Sequence, residues 1–468
     1  MKSFIFLAKS LKSRFFGYAT TNDSPFFTFL SPAIVSLRLS DGFVRNVFVL
    51  MSGSTFAMVI PVLASPVLTR LYSPNDYGIF ALFVSIVTAC SVLVTGGYDT
   101  AVVLPKRDRD ALNVMAVCVT LSLVLGVVLL LISWLASGYA DELSGSRISV
   151  WLPWVSLSAF VIGLQQTFSF WANRKRQFRT LAANRVVESV ATPGINVGLG
   201  VCSFGVGGLV IGLLAGKIIA TSLLARSLWR DKNKWRPSFQ RQGMLKQVIR
   251  YRDFPFFFAP TSFLDVLALQ VPVLLLAKFF GPTVVGLFAL STRVIGAPLA
   301  LLSSCVGQVY YQWMAEASHR KENASYVFRI AFYLLLIVAG PLLIIVLFSP
   351  SLFSVIFGEE WRTAGEYARI LMVPLAAKFV VSPLTVIMPA SGNIRLGSIW
   401  KVVYFLSTSI TLYIASHFNV KTFLYVYCVH DVVLYTISFL LVLRASSHSR
   451  AYQADVRSAV QADKIHRT

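Results

Sequence analysis

The chain has 468 residues, 56% of them hydrophobic and only 13% charged, with a mean hydropathy of +0.70. A water-soluble domain of this length could not keep so much apolar surface from solvent, so most of the chain must face lipid or other helices. A formal net charge of +22 would point to nucleic acid in a soluble protein, but in a membrane protein the placement of the bases reports topology first.

Residues 1–43 are predicted to form a cytoplasmic N-terminal extension. Lys2, Lys9, Lys12 and Arg14 surround a short Phe-Ile-Phe-Leu patch. The apolar run is too brief for a signal-peptide core and no clear small-residue cleavage site follows, which leaves a segment lying on the membrane surface. From there on, apolar stretches near the ~20 residues that a spanning helix needs recur through the chain. Spans are predicted at 46–68, 78–97, 112–136, 149–171, 181–203, 208–228, 254–276, 285–310, 327–348, 366–390, 397–416 and 421–443. The first six form one bundle (44–228), a basic linker follows (229–253), the last six form a second bundle (254–443), and 444–468 is a cytoplasmic tail. The expected fold is therefore an all-α polytopic membrane protein of about twelve transmembrane helices in two parallel six-helix bundles. A transmembrane barrel would need short alternating strands instead.

With both termini inside, and with Arg226 and Arg329 at span ends counted with the cytoplasmic loops, 31 of the 42 Lys and Arg fall on the cytoplasmic side, while five (Arg70, Arg147, Lys278, Arg362, Lys421) lie on the opposite face and six lie deeper within spans. That asymmetry fixes the orientation. Topogenesis and contact with anionic lipid account for most of the net charge, with no nucleic-acid partner. The five cysteines form no Cys-x-x-Cys pair, so neither a disulfide framework nor a zinc site is expected, and they read as small hydrophobes in the core.

The two halves repeat each other. Shifting the sequence by 208 positions lays PVLTRLYSPNDYGIFAL (66–82) over LLLAKFFGPTVVGLFAL (274–290), where Leu68, Pro74, Gly78, Phe80, Ala81 and Leu82 meet identical residues. Pro74 and Pro282 break the connection between two spans, and Gly78 and Gly286 let the next helix start close to a neighbour. A weaker echo, RVV at 185–187 and KVV at 401–403, puts Arg185 and Lys401 at equivalent places on the fifth span of each half. Six spans per half make the repeats parallel, a design that permits rocking about a central cleft.

An ionisable residue inside a span costs ~2.5–3.5 kcal/mol even on the lenient insertion scale, so each one should face an interior or a water-filled cavity. Six bases (Arg185, Lys217, Arg293, Arg369, Lys378, Lys401) stand against the acids Glu188, Asp265 and Asp431, with Asp99 and Glu366 nearer span ends. Arg185, Lys217, Arg293, Lys378 and Lys401 are the candidate substrate-binding residues, and Asp265, Glu188 and Asp431 the candidate coupling or charge-balancing ones. On the fifth span Arg185, Glu188, Thr192 and Asn196 share one helical stripe. It reads either as a cavity wall or as an Arg185–Glu188 pair with Arg185 snorkelling to the interface. On the eighth span Arg293, Ala297, Ala300, Ser304 and Gln308 form a small, polar stripe suited to a lumen or a tight interface. Lys378 sits near the middle of its predicted span. Asp265 either pairs a basic neighbour or binds a coupling cation, and His430 beside Asp431 is either a proton relay or a satisfied packing pair. Trp361, next to Glu359 and Glu360 in a short outer loop, is expected to be an interfacial anchor.

No Walker A run, His-Glu-x-x-His or Gly-x-Ser-x-Gly occurs, and no acidic cluster suits a metal-diphosphate site, so neither an enzyme nor a cofactor is expected. Taken together, LTRLYSPNDYGIFAL (68–82), YDTAVVLPKRDRDALNV (98–114) and NRKRQFRTLAANRV (173–186) resemble the polysaccharide-biosynthesis flippases, the Wzx type within the multidrug/oligosaccharidyl-lipid/polysaccharide exporter superfamily. The resemblance implies a MATE-like fold and movement of undecaprenyl-diphosphate-linked oligosaccharide, an O-antigen or exopolysaccharide repeat unit, across the bacterial inner membrane. It also implies glycan polymerase and glycosyltransferase partners. A multidrug or organic-cation exporter of the same architecture is the alternative, and it would want a net acidic cavity.

Overall fold

The computed structural model describes residues 41–135, 138, 148–229, 241–316, 324–386 and 394–465, with side chains over 53–135, 138, 148–229, 241–304, 306–307, 329–385 and 399–444. The extension 1–40, the cysteine at 305 and Gln308 therefore lie outside the described residues or side chains. Val47–Thr468 form one compact unit. Among the described residues there are helices and no strand. Twelve long helices follow one another: α1 Asp41–Leu71, α2 Pro74–Val94, α3 Asp108–Leu135, α4 Leu152–Arg174, α5 Phe178–Val201, α6 Val206–Trp229, α7 Ala259–Phe280, α8 Pro282–Glu316, α9 Ala324–Phe357, α10 Arg362–Val381, α11 Ile394–Ala415 and α12 Val420–Ile465. Each overlaps one of the twelve predicted spans, and the chain is a multi-pass membrane protein. A ten-residue linker helix, Arg241–Arg250, lies between the halves.

Nine of the described helices are long and apolar enough to cross a membrane by composition alone. The other three are α4, α5 and the shorter apolar stretch of α11. They bury polar side chains against neighbours instead: Ser156, Ser158, Gln165 and Thr167 on α4, Asn184, Ser189 and Asn196 on α5, and Thr408 on α11.

Packing repeats as the sequence does. In the first half α2 packs on α4, α3 on α4, α4 on α6 and α5 on α6; in the second, α8 packs on α10, α9 on α10, α10 on α12 and α11 on α12. The halves meet where α2 runs along α7 and α8. One apolar core crosses this seam, joining Leu68, Tyr72, Tyr77 and Leu82 to Leu276, Leu287, Phe288 and Leu290. Loops at one end of the helices, including residues 102–107, 175–177 and the linker helix, hold Lys106, Arg107, Lys175, Arg176, Arg241, Lys246 and Arg250, and this end is the basic face. The turns at Ser73, Gly281 and Gly358 lie at the opposite face.

Candidate functional site

At the opposite face the repeated turns meet each other. Ser73 caps α2 with a reciprocal box, its hydroxyl accepting from the Asp76 amide at 3.2 Å while the Asp76 carboxylate accepts from the Ser73 amide at 3.1 Å. This fixes the start of α2 at Pro74. A Cβ on Gly78 would lie 1.6 Å from the Pro282 carbonyl oxygen, and a Cβ on Gly286 would lie 1.9 Å from that of Pro74. Each half thus sets its glycine against the other half's proline backbone, and nothing larger than hydrogen fits at either place. Trp361 completes the closure. It is 1% exposed, its indole N–H donates to the Thr69 carbonyl at 3.1 Å, and its ring meets Tyr77 edge-on at 5.1 Å. The expected interfacial anchor is instead a latch between halves, because the short helix Glu359–Trp361 turns the indole inward over the end of α1.

Beneath this seal lies Arg293. It lies eleven residues or about 16 Å along α8 from Pro282, and seven residues or about 10 Å from Gly286, near the middle of a ~30 Å hydrocarbon layer. It is half-buried and makes no hydrogen bond or ion pair among the described residues. It acts electrostatically on Tyr77 of α2, whose hydroxyl is buried without a hydrogen-bond partner among the described residues. Along the same helix Gly296 and Ala297 are half-buried, and Ala300 and Ser304 are exposed. Small side chains leave space around the guanidinium.

The other bases divide into two groups. Lys217, at the middle of α6, donates to Glu188 of α5 at 2.5 Å, and Gln165 of α4 donates to the same carboxylate at 2.5 Å. Glu188 therefore serves Lys217 and not Arg185, whose guanidinium reaches α1 and donates to Ser54. Lys401 mirrors Arg185: from α11 it reaches the first helix of its own half and pairs with Asp265 at 3.0 Å, both side chains being partly exposed. Of the two readings for Asp265, the structure displays the basic neighbour. Arg369 donates to the Leu347 carbonyl near the opposite face.

Lys378 differs from its expected position. Helix α10 stops at Val381 and gives way to the 3-10 segment Ser382–Val386, so Lys378 lies in the last turn of the helix and not near mid-span. It is half-buried and, like Arg293, makes no side-chain hydrogen bond or ion pair among the described residues.

Asp431 is 4% exposed and lies one residue from the middle of the apolar stretch Val420–Arg444. The Tyr404 hydroxyl donates to it at 3.2 Å, and His430 Nδ1 stands 3.6 Å away while His430 Nε2 meets the Ser407 hydroxyl at 2.9 Å. Tyr427 and Tyr435 complete the wall. No Lys or Arg pairs with this carboxylate among the described residues. Asp99, near the basic face, is buried and accepts from the Thr95 hydroxyl at 2.9 Å. Burial holds its carboxyl above the ordinary range against the pull of that hydrogen bond. Glu366 pairs with Lys421 at 3.3 Å at the opposite face.

Sequence reasoning missed Trp361 and Tyr77 as members of the seal. The signal was present in the repeat: identical turns in two parallel halves must approach each other wherever they lie near the axis relating them.

Solved structures share this fold. A lipid II flippase MurJ in an inward closed conformation superposes with a TM-score of 0.68 at 13% identity, covering 88% of this chain and 93% of that one. A MATE family multidrug resistance transporter in an inward-facing conformation superposes at 0.61 with 16% identity, covering 84% and 96%. Among curated proteins, the teichuronic acid biosynthesis protein TuaB of Bacillus subtilis is 20% identical over 351 residues, covering 74% of this chain and 71% of that one. The succinoglycan biosynthesis transport protein ExoT of Rhizobium meliloti is 20% identical over 371 residues, covering 78% and 72%. The family model described as polysaccharide biosynthesis protein matches residues 67–366, more than half of the chain, and the chain belongs to that family.

Proposed function

We propose that this protein is a flippase for lipid-linked oligosaccharide. It carries an undecaprenyl-diphosphate-linked repeat unit of O-antigen or exopolysaccharide from the cytoplasmic to the periplasmic leaflet of the bacterial inner membrane, by alternating access between the two bundles. The basic face is cytoplasmic in this reading, and the Gly78–Gly286 closure is the periplasmic gate. The two bundles correspond to residues 44–228 and 254–443, joined by the linker 229–253.

The observation that carries the reading is Arg293. A guanidinium at mid-membrane, on the helix that meets the other half and beneath a closed seal, with no carboxylate paired to it among the described residues, is suited to receive an anion. A diphosphate supplies that anion, and the planar guanidinium suits two of its oxygens at once. Lys378 offers a second positive charge on the neighbouring helix α10, while Arg185 and Lys401 stand at matching places in the two halves. Lys217 is already neutralised by Glu188 and acts in this scheme as part of the scaffold. Asp431, buried behind tyrosines with no Lys or Arg paired to it among the described residues, is the candidate coupling group. The chain moves its substrate without making or breaking a bond in it. Membrane lipids surround it, and glycosyltransferases that supply the substrate and a glycan polymerase that consumes it are its partners in this reading.

The alternative, an organic-cation exporter, has the same fold but asks for an exposed acid in the cleft. The bases without partners favour an anion. Deletion in the source bacterium, with lipid-linked oligosaccharide extracted from each leaflet, tests the choice. Accumulation of the oligosaccharide in the inner leaflet, relieved by the wild-type chain and not by Arg293→Gln at equal abundance, is expected. Normal glycan display in the deletion strain, with raised sensitivity to cationic drugs, would overturn the flippase in favour of the exporter.

A further inference from the structure

The linker helix Arg241–Arg250 has two unlike faces, and the function proposed above uses neither. One face is docked. Met244 and Val248 pack into the cluster around Tyr98, Met115, Trp171 and Leu228. Gln247 donates to Asp110 at 3.2 Å, the Tyr98 hydroxyl donates to the Val248 carbonyl at 3.1 Å, and Gly243 lies so close to Asn113 that a Cβ would sit 2.8 Å from its amide nitrogen. Asp110 and Asn113 belong to the first two turns of α3. The helix is therefore held level with the ends of the spans, where hydrocarbon gives way to headgroups.

The other face is uncovered among the described residues. Leu245 is 61% exposed and Ile249 60%, one helical turn apart. At 100° per residue they form a ridge with Arg241 on one side and Lys246 and Arg250 on the other. All three bases are exposed, and residues 241–250 contain no acid. A few residues on, where α7 is about to begin, Phe256 and Phe257 are also largely exposed. An apolar ridge flanked by one base on one side and two on the other, at the level of the headgroups, complements one partner: an anionic lipid surface, with the ridge in the acyl boundary and the bases on the phosphates. We infer that the linker helix is an interfacial helix that selects anionic phospholipid at the basic face. The inference does not depend on what the protein transports.

Depth-dependent quenching tests it on the full chain. The five native cysteines are replaced, Ile249→Cys is labelled with a fluorophore, and the protein is reconstituted in vesicles containing acyl-brominated phosphatidylglycerol or, at equal mole fraction, acyl-brominated phosphatidylcholine. Strong quenching is expected in both, about twofold greater with phosphatidylglycerol because the bases enrich it around the label. Arg241→Gln, Lys246→Gln and Arg250→Gln together should make the two lipids equal while acyl quenching persists. Raising the salt to about 0.5 M should shrink the difference in the chain with its bases intact, which serves where the triple variant does not fold. Quenching by aqueous iodide in place of brominated acyl chains would overturn the inference, since the face would then meet water. Protection from both quenchers would assign it to a protein partner, and equal quenching by the two lipids with all bases present would remove the anionic selectivity.

Discussion

The two halves pack alike and handle charge differently. In the first half the mid-membrane base Lys217 is matched by Glu188 at 2.5 Å and steadied by Gln165. In the second, Arg293 and Lys378 make no ion pair or side-chain hydrogen bond among the described residues, and the buried Asp431 is surrounded by tyrosines and a histidine rather than by a Lys or Arg. A charge at the centre of a spanning helix costs roughly 2.5–3.5 kcal/mol. The first half offsets that cost within itself. The second leaves part of it to be offset by something that arrives and departs, which is what a carrier of an anion requires.

The halves are alike at the seal, and breaking it should have the largest effect. Gly78→Val and Gly286→Val each force a side chain into the other half's proline backbone, where a Cβ alone would come within 2 Å of a carbonyl oxygen. Either change should keep the gate from closing and abolish glycan display. Labelling of a cysteine placed at Thr69, measured with a membrane-impermeant reagent on intact cells, should rise in both. Loss in one variant and full display in the other would mean that the contact is not reciprocal in use.

Arg293→Gln comes next. It removes the charge and the planar fork while leaving a polar, hydrogen-bonding side chain, so display normalised to protein level should fall at least about tenfold, a loss of about 1.4 kcal/mol or more in substrate binding. The matching change in the first half sharpens the contrast. Glu188→Gln leaves Lys217 unpaired at mid-membrane and should destabilise the protein by about 3 kcal/mol, whereas Glu188→Gln with Lys217→Met should recover most of that stability and keep display. Thermal unfolding in detergent gives the first reading and glycan display the second. A double variant that is stable yet inactive would show that Lys217 meets substrate after all.

Twelve helices, a repeat and a family could be read from the residues because hydropathy, prolines and glycines act locally. Partners across helices could not. Arg185 and Glu188 share a helical face, and spacing alone pairs them, yet α5 is turned so that Glu188 meets α6 while Arg185 meets α1. That rotation is set by close contacts such as Gly53 against Ala182 and Gly212 against Asn196, which depend on three helices at once. Trp361 was misplaced for a similar reason: a Trp in a short outer loop resembles an anchor until the loop is seen to fold over the other half. Lys378 was set near mid-span because apolar residues continue past Val381, where the helix has already ended.

That last displacement supplies the smallest and most discriminating test. Near the point where α10 passes into the 3-10 segment Ser382–Val386, a lysine can also serve the packing of the helix end, so a structural role competes with substrate contact. Lys378→Ala removes both, and display should fall about two- to fivefold, less than for Arg293→Gln because Lys378 lies farther from the middle of the membrane. Lys378→Arg restores the charge at the helix end and should restore stability fully, but its planar fork reaches a diphosphate differently from a point charge. The two roles then separate. If Lys378 serves the helix end alone, unfolding temperature should drop in Lys378→Ala while display per molecule stays at the wild-type level. If it meets the substrate, display per molecule falls with little change in unfolding temperature, and Lys378→Arg recovers it in part. The second outcome is expected, because the side chain is half-buried and its charge is matched by no acid in the described part of the bundle.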